Sequence, residues 1–398
     1  MPREPARIIG SGVLSGAGRG LECFWESMLA AQPGQAPHDL GDPELSSAAY
    51  VRVPVERDAS ADELAAHWLA VACADALAAA SEALERVRPA RLAVLVGSSL
   101  GGMTVLEKMQ RGWWDPSARR GHGLPAPPLP LWRGLYDGPT RALGARVGAS
   151  AGAWTINTAC SSAANALGVA RTWLDRRRCD AALVAGVDVI SPFVHAGFAA
   201  LGAVDPEPTA PFCATRRGLN LGEAAVAFVL VRADAFPDAD VVDVVGYGSS
   251  CDAHHLTRPD LTGAGLARAM SAALADADLA PTDVDVVSAH ATGTTFNDTM
   301  EDAAFRRVFG AHRPLVHCAK PVTGHTLGAA GAIDALAMAL ALERGRLPPT
   351  YRRGELDPAL AFTPAQDETA LARDAVVLSA SSGFGGNNAV LVLARSCP

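Results

Sequence analysis

Three side chains stand where reactive chemistry is usually placed, at the junctions between apolar runs and the segments that follow: Cys160, His290 and His325. In α/β folds such strand-to-helix corners face the ligand crevice. Cys160 comes just after the apolar run 154–156 and opens a helical segment reaching about residue 178. A cysteine at a helix N-terminus feels the positive end of the macrodipole, which favours the nucleophilic thiolate. Its neighbours Ala159, Ser161, Ser162 and Ala163 are small, so a ligand can approach closely. His290 ends the run 284–289 and begins Ala291-Thr292-Gly293-Thr294. His325 sits in Gly324-His325-Thr326, five positions after Lys320. Each has a plainer reading when taken singly. Free cysteine is among the most buried residue types, and a strand-end histidine is usually a satisfied structural group. A helix-capping cysteine and two histidines flanked by Gly and Thr are harder to set aside together. The histidines lack the short spacing of a metal-ligand pair, which argues against a metal centre.

These corners require a frame. Apolar runs at 7–13, 91–96, 154–156, 181–189 and 224–231 read as strands, with helices over 61–87 and from Cys160 onward. After Pro237 the pattern restarts: strands at 241–247, 284–289 and 315–318, helices at 263–277, 299–309 and 327–344, and a closing hairpin of 376–380 with 389–393. Alternating strands and helices imply βαβ units in a parallel or mixed sheet. The same order of elements occurs twice, so the expected division is 1–237 and 238–398. Residues 112–139, rich in Trp, Pro and Gly, read as a long surface excursion. Two motifs look like decoys. Gly10-Ser11-Gly12 follows a strand, but Ser15 replaces the third glycine of a dinucleotide fingerprint and no acidic strand end follows. His254-His255 beside Asp252 reads as a polar loop.

Composition narrows the classes. Among 398 residues, 49% are hydrophobic and 19% charged, enough apolar material for a large core and too much for a disordered chain. A formal charge of -8 without basic tracts makes nucleic-acid binding a poor fit. Eight scattered cysteines form no C-x-x-C pair, which suggests reduced thiols in a cytoplasm. The N-terminus has no secretory pattern, and the apolar stretch 327–342 is short and carries Asp334, so no membrane span is expected.

Four motifs in order then resemble one family, the β-ketoacyl-acyl carrier protein synthases, condensing enzymes of the thiolase superfamily. They are Thr158-Ala159-Cys160-Ser161-Ser162; His290-Ala291-Thr292-Gly293-Thr294; Lys320 with Gly324 to Gly331; and Gly383-Phe384-Gly385-Gly386 with Asn388. Arg216-Arg217-Gly218, Gly222-Glu223-Ala224-Ala225, and Asn297-Asp298 with Glu301 are similar to supporting motifs. Together with Ser249 to His254, they resemble the stand-alone synthases of bacterial aryl-polyene and related polyketide clusters.

The resemblance implies an α/β thiolase-like fold, two similar αβαβα halves in one five-layered unit. It implies a homodimer, or a heterodimer with a related ketosynthase or chain-length subunit. Cys160 would take an acyl chain from a carrier-protein thioester. The backbone N–H groups of Cys160 and Phe384 would form the oxyanion hole. His290 and His325 would assist decarboxylation of a malonyl unit, whose carbanion extends the chain in fatty acid, polyene or polyketide synthesis. Lys320 would keep His325 neutral and pair with Asp334. Thr292 and Thr294 would hold the phosphopantetheine arm of the acyl carrier protein, Phe384 would gate the acyl pocket, and no cofactor would be needed. Some positions depart from the family pattern: Ala291, Ser382, Cys213, Arg217, Pro321 and Val322. The acidic chain needs a local basic patch to dock an acidic carrier protein, with Arg119, Arg120 and Arg133 as candidates. Alternatives are a silent chain-length subunit, a cysteine thioester hydrolase, and a non-enzymatic interaction protein.

Overall fold

The computed structural model describes residues 3–34, 36–37, 49–53, 63–114, 130–237 and 239–396. The chain begins β1 (Ala6–Ser15), α1 (Leu21–Ala30), α2 (Leu64–Ala79), α3 (Ser81–Val87), β2 (Leu92–Gly97), α4 (Met103–Trp114) and α5 (Gly138–Val147). It continues β3 (Ala153–Ile156), α6 (Ser162–Asp175), β4 (Ala181–Asp188), α7 (Pro192–Ala200) and β5 (Ala224–Arg232). Then come β6 (Val242–Cys251), α8 (Ala264–Asp276), β7 (Val286–Ser288), α9 (Thr295–Phe309), β8 (Leu315–His317), α10 (Ala330–Arg344), β9 (Val376–Gly383) and β10 (Asn387–Arg395).

These ten strands run through one mixed sheet in the order β8-β7-β9-β10-β6-β1-β5-β4-β2-β3, and an eleventh described strand, Gly18–Arg19, pairs with β1 beside that path. Read from each outer edge inward, both sides run third, second, fourth, fifth, first. The hydrogen-bonding pattern repeats as well. The second strand is parallel to the third and fourth, and the fifth is antiparallel to both its neighbours. The two arrays meet where β1 pairs with β6 at Ala6↔Val244 and Arg7↔Asp243.

Helices α6 and α10 form the central layer, sharing one core with the inward faces of strands from both arrays. From Ala330 to Leu342 every residue of α10 is buried, as expected for a helix that is apolar all round. Helix α2 covers the outer face of the first array, and α8 with α9 covers that of the second. No single helix among the described residues is long and apolar enough to cross a membrane.

Several local expectations change. The single helix expected over 61–87 is instead the pair α2 and α3, from Leu64 to Val87, bent by 65°, and residues 61–62 lie outside the described residues. Gly10 and Gly12 explain how α2 lies on β1: a Cβ on Gly10 would come 2.4 Å from the Ala76 carbonyl oxygen, and one on Gly12 2.2 Å from that of Ala72. The glycine pair therefore serves helix–strand packing. Helix α9 starts at Thr295, four residues before the sequence reading, because the Thr294 side chain caps it by accepting from the Asn297 N–H (3.4 Å). Within 112–139, α4 continues to Trp114 and α5 starts at Gly138, so both ends of the supposed excursion are helical. Helix α7 was not anticipated, although Ser191 caps it and Pro192 opens it.

Candidate active site

β3 leads into a tight corner that presents Cys160 at the start of α6. Ala159 takes a left-handed φ of 53°, and the corner is laced by its own hydroxyls. Ser162 Oγ accepts from the Thr158 N–H (2.9 Å) and donates to the Ala159 carbonyl (2.5 Å), while Ser161 Oγ donates to the Thr158 carbonyl (2.8 Å). Gly97, at the end of β2, lets the helix start sit directly on the sheet: a Cβ there would be 2.4 Å from Ala163 N. The corner buries Cys160 to 6% exposure.

His290 follows β7 on a turn where Ala291 and Gly293 have φ of 45° and 71°. Helix α9 holds that turn. Glu301 accepts from the N–H groups of His290 (2.6 Å) and Ala291 (2.7 Å), and Asp298 accepts from those of Gly293 (3.2 Å) and Phe212 (2.8 Å). Burial, reinforced by Asp298, raises the Glu301 carboxyl to about 7; burial raises Asp298 to about 6. His325 is pinned through its backbone, its N–H donating to the Asn220 carbonyl (2.7 Å) and its own carbonyl accepting from Gly222 (3.0 Å). Gly222 is needed for that approach, since a Cβ would lie 2.2 Å from the Thr323 carbonyl oxygen.

The two corners bring His325 Nε2 to 3.1 Å from Cys160 Sγ. The His290 and His325 rings stand nearly perpendicular with centroids 5.2 Å apart. Behind them Lys320 Nζ lies 3.1 Å from Asp334 Oδ2, both side chains buried. Burial, and then the Lys320 ammonium, hold both imidazoles well below their ordinary 6.5; His325 adds to the effect on His290. The thiol behaves differently from the sequence expectation. Burial pushes Cys160 up to about 12, outweighing Lys320 and the N–H groups of Phe384 and Cys160, which act in the opposite sense. The helix start alone does not leave a standing thiolate. The resting site is a thiol beside two neutral imidazoles.

The β9–β10 turn closes over this corner. A Cβ on Gly383 would come 2.7 Å from the Thr158 carbonyl oxygen and 3.0 Å from Cys160 N. Phe384 stacks on Phe198 of α7 at 5.6 Å. Ser382 Oγ donates to Asn388 Oδ1 (2.9 Å), and Asn388 Nδ2 donates to Asp252 Oδ1 (2.7 Å). Asp252, set aside in the sequence reading, thus anchors this turn. His255 Nδ1 caps its own loop by accepting from the N–H groups of Thr257 and Arg258.

A cavity of about 420 Å³ is lined by Cys160, His290, His325, Thr292, Thr294 and Phe384, together with Phe198, Arg217 and Arg258. Lys320 and Asp334 lie behind it. Of the basic candidates, Arg133 is elsewhere, paired with Glu63 at 2.8 Å; Arg119 and Arg120 fall outside the described residues. Among the described residues, the guanidinium groups lining this cavity are those of Arg217, which also pairs with Asp205 (3.1 Å), and Arg258, which lies over the Phe296 ring. Nothing in the local sequence around Arg258 or Phe198 signalled their place. Among the described residues no cluster of His, Cys, Asp and Glu could hold a metal ion.

The β-ketoacyl synthase N-terminal domain family matches residues 3–235, and the β-ketoacyl synthase C-terminal domain family matches 241–352. A 3-oxoacyl-[acyl-carrier-protein] synthase 2 of Staphylococcus aureus is 31% identical over 409 residues, covering 97% of this chain and 99% of that protein. Among solved structures, the ishigamide ketosynthase/chain length factor is similar with a TM-score of 0.87 and 29% identity, covering 98% and 99% of the two chains. The ketosynthase ApeO in complex with its chain length factor ApeC from Xenorhabdus doucetiae is similar at 0.86 and 28%, covering 98% of each chain.

Proposed function

The chain belongs to the β-ketoacyl synthase family and is a condensing enzyme of fatty acid or polyketide synthesis, and from that premise we propose that Cys160 carries the growing acyl chain while His325 and His290 handle its proton and the incoming extender. The contact of His325 Nε2 with Cys160 Sγ at 3.1 Å carries this reading. In acyl transfer, the Cys160 sulfur attacks the thioester carbonyl of an acyl carrier protein. A new S–C bond forms, the old one breaks, and the Cys160 proton passes through His325 Nε2 to the departing pantetheine thiolate. The N–H groups of Cys160 and Phe384, which favour negative charge at this corner, would stabilise the oxyanion; each such donor is typically worth about 2.7–4 kcal/mol.

In condensation, the malonyl C–C bond breaks and carbon dioxide leaves. The enolate oxygen is held by the Nε2–H groups of the two neutral imidazoles, His325 having exchanged its Nδ1 proton for one on Nε2 after the pantetheine thiol has left. The carbanion then attacks the acyl-Cys160 carbonyl, a C–C bond forms, and the thiolate released regains a proton from solvent. Lys320, fixed by Asp334, keeps both imidazoles uncharged for this step. Thr292 and Thr294, whose hydroxyls are 2.9 Å apart on the cavity wall, would take the phosphopantetheine arm.

The repeated strand order supports reading 1–237 and 238–398 as two thiolase-like halves. The outer edge of β3 carries Trp154, 41% exposed, and an unpaired strand edge is a natural place for a second subunit, a copy of this chain or a chain-length partner. Two alternatives fit less well. A silent chain-length subunit has no use for an assembled Cys160, His290 and His325. A cysteine hydrolase needs a nucleophile and one base, and leaves the second imidazole, His290, without a role.

The test is intact-mass analysis with acyl-carrier-protein donors, followed by malonyl-carrier protein. A covalent acyl adduct, then release of carbon dioxide and a ketoacyl product two carbons longer, is expected. An adduct that persists in Cys160→Ala, or free acid as the product, contradicts the proposal.

A further inference from the structure

Asp188, at the end of β4, is 1% exposed, and among the described residues no cationic side chain is one of its hydrogen-bond partners. A buried carboxylate left so is costly. Its two oxygens instead accept from five donors. Oδ1 takes Ser98 Oγ (2.6 Å) and the Leu100 N–H (3.0 Å); Oδ2 takes the Ser99 N–H (3.0 Å), Ser99 Oγ (2.6 Å) and the Gly328 N–H (2.6 Å). The donors come from two turns: the one after β2, and the one three residues beyond His325. Gly328 has no room for a side chain there, since a Cβ would lie 2.5 Å from Ser99 N and 2.7 Å from Asp188 Oδ2. At Gly186, two residues earlier on β4, a Cβ would lie 2.9 Å from Ala163 Cβ of α6 and 3.0 Å from Ala329 Cα.

The segment carrying His325 is therefore held at both ends. Asn220 and Gly222 bind its backbone before the turn, and Asp188 binds it after. We infer that Asp188 is a positioning residue that, by tying the Ser98–Leu100 turn to Gly328, fixes His325 Nε2 against Cys160 Sγ. This inference rests on the reading of His325 as the group that takes the Cys160 proton. A misplacement of about 1 Å at such a contact can cost about a hundredfold in rate.

The experiment is a double-mutant cycle on acyl transfer from a hexanoyl-carrier-protein thioester to Cys160, followed by intact mass, with Asp188→Asn made in the wild-type and in the His325→Ala background. Asp188→Asn should slow acyl transfer about a hundredfold in the first background and less than about twofold in the second, because nothing is left to position. Equal losses in both backgrounds, or no loss in the first, overturn the inference. If His325→Ala alone leaves the rate unchanged, it is the assignment of the base that has failed. Ser99→Ala, which keeps the charge and removes one of the five donors, should give a smaller loss in the wild-type background that likewise vanishes in His325→Ala; a loss that persists there again overturns the inference.

Discussion

Cys160 keeps its proton until a base is offered to it. Burial raises the thiol to about 12, so at neutral pH the sulfur depends on His325 and not on a standing thiolate. Labelling of Cys160 by iodoacetamide should therefore be slower at pH 7.5 in His325→Ala, by about a hundredfold or more if general-base assistance operates. The sign of the pH dependence follows: in the variant the thiolate fraction, and with it the rate, keeps climbing with pH toward about 12. A plateau below pH 8 in the variant would show that the sulfur is already ionised. The same burial makes both imidazoles neutral donors, the form an enolate oxygen requires.

The elements decide how these groups are held. The turn Lys320–Thr323 and helix α10 meet in one buried pair, Lys320 with Asp334. Removing one partner of a buried pair typically costs about 3–5 kcal/mol, whereas replacing both by apolar groups is often close to neutral. Lys320→Met should thus lower the unfolding free energy strongly, and Lys320→Met with Asp334→Leu should recover most of it, as read by urea denaturation. The double variant also separates stability from chemistry. The ammonium depresses both histidines, so without it their pKa values rise and the acid limb of the condensation pH–rate profile moves to higher pH. An unmoved limb would mean that Lys320 acts on packing alone.

At the scale of the whole molecule, the site exists because two arrays of like strand order face each other across α6 and α10. Cys160 comes from the first array, and His290, His325 and Phe384 come from the second. The outer edge of β3 leads directly to the nucleophile corner, so a subunit pairing there would act on the site as well as on assembly. Trp154→Asp should convert an assembled species to the monomer mass in light scattering, with loss of condensing activity. Retention of both would place the interface elsewhere.

The identities of Cys160, His290 and His325, their positions at the ends of apolar strands or the starts of helices, and the buried character of 327–344 were all legible in the chain. Motif chemistry and apolar periodicity are local properties of neighbouring residues. Helix α7, the α2–α3 bend, and the use of Gly10 and Gly12 for packing were not, because they answer to atoms distant in sequence. The same holds at the site. Asp188, Phe198, Asp252 and Arg258 reach it from turns and strands that carry no local signal, and Arg133 is drawn away from it to Glu63. The ionisation of Cys160 belongs to the tertiary structure too. The sequence placed a sulfur at a helix start, but only the packed protein determines that desolvation outweighs the dipole.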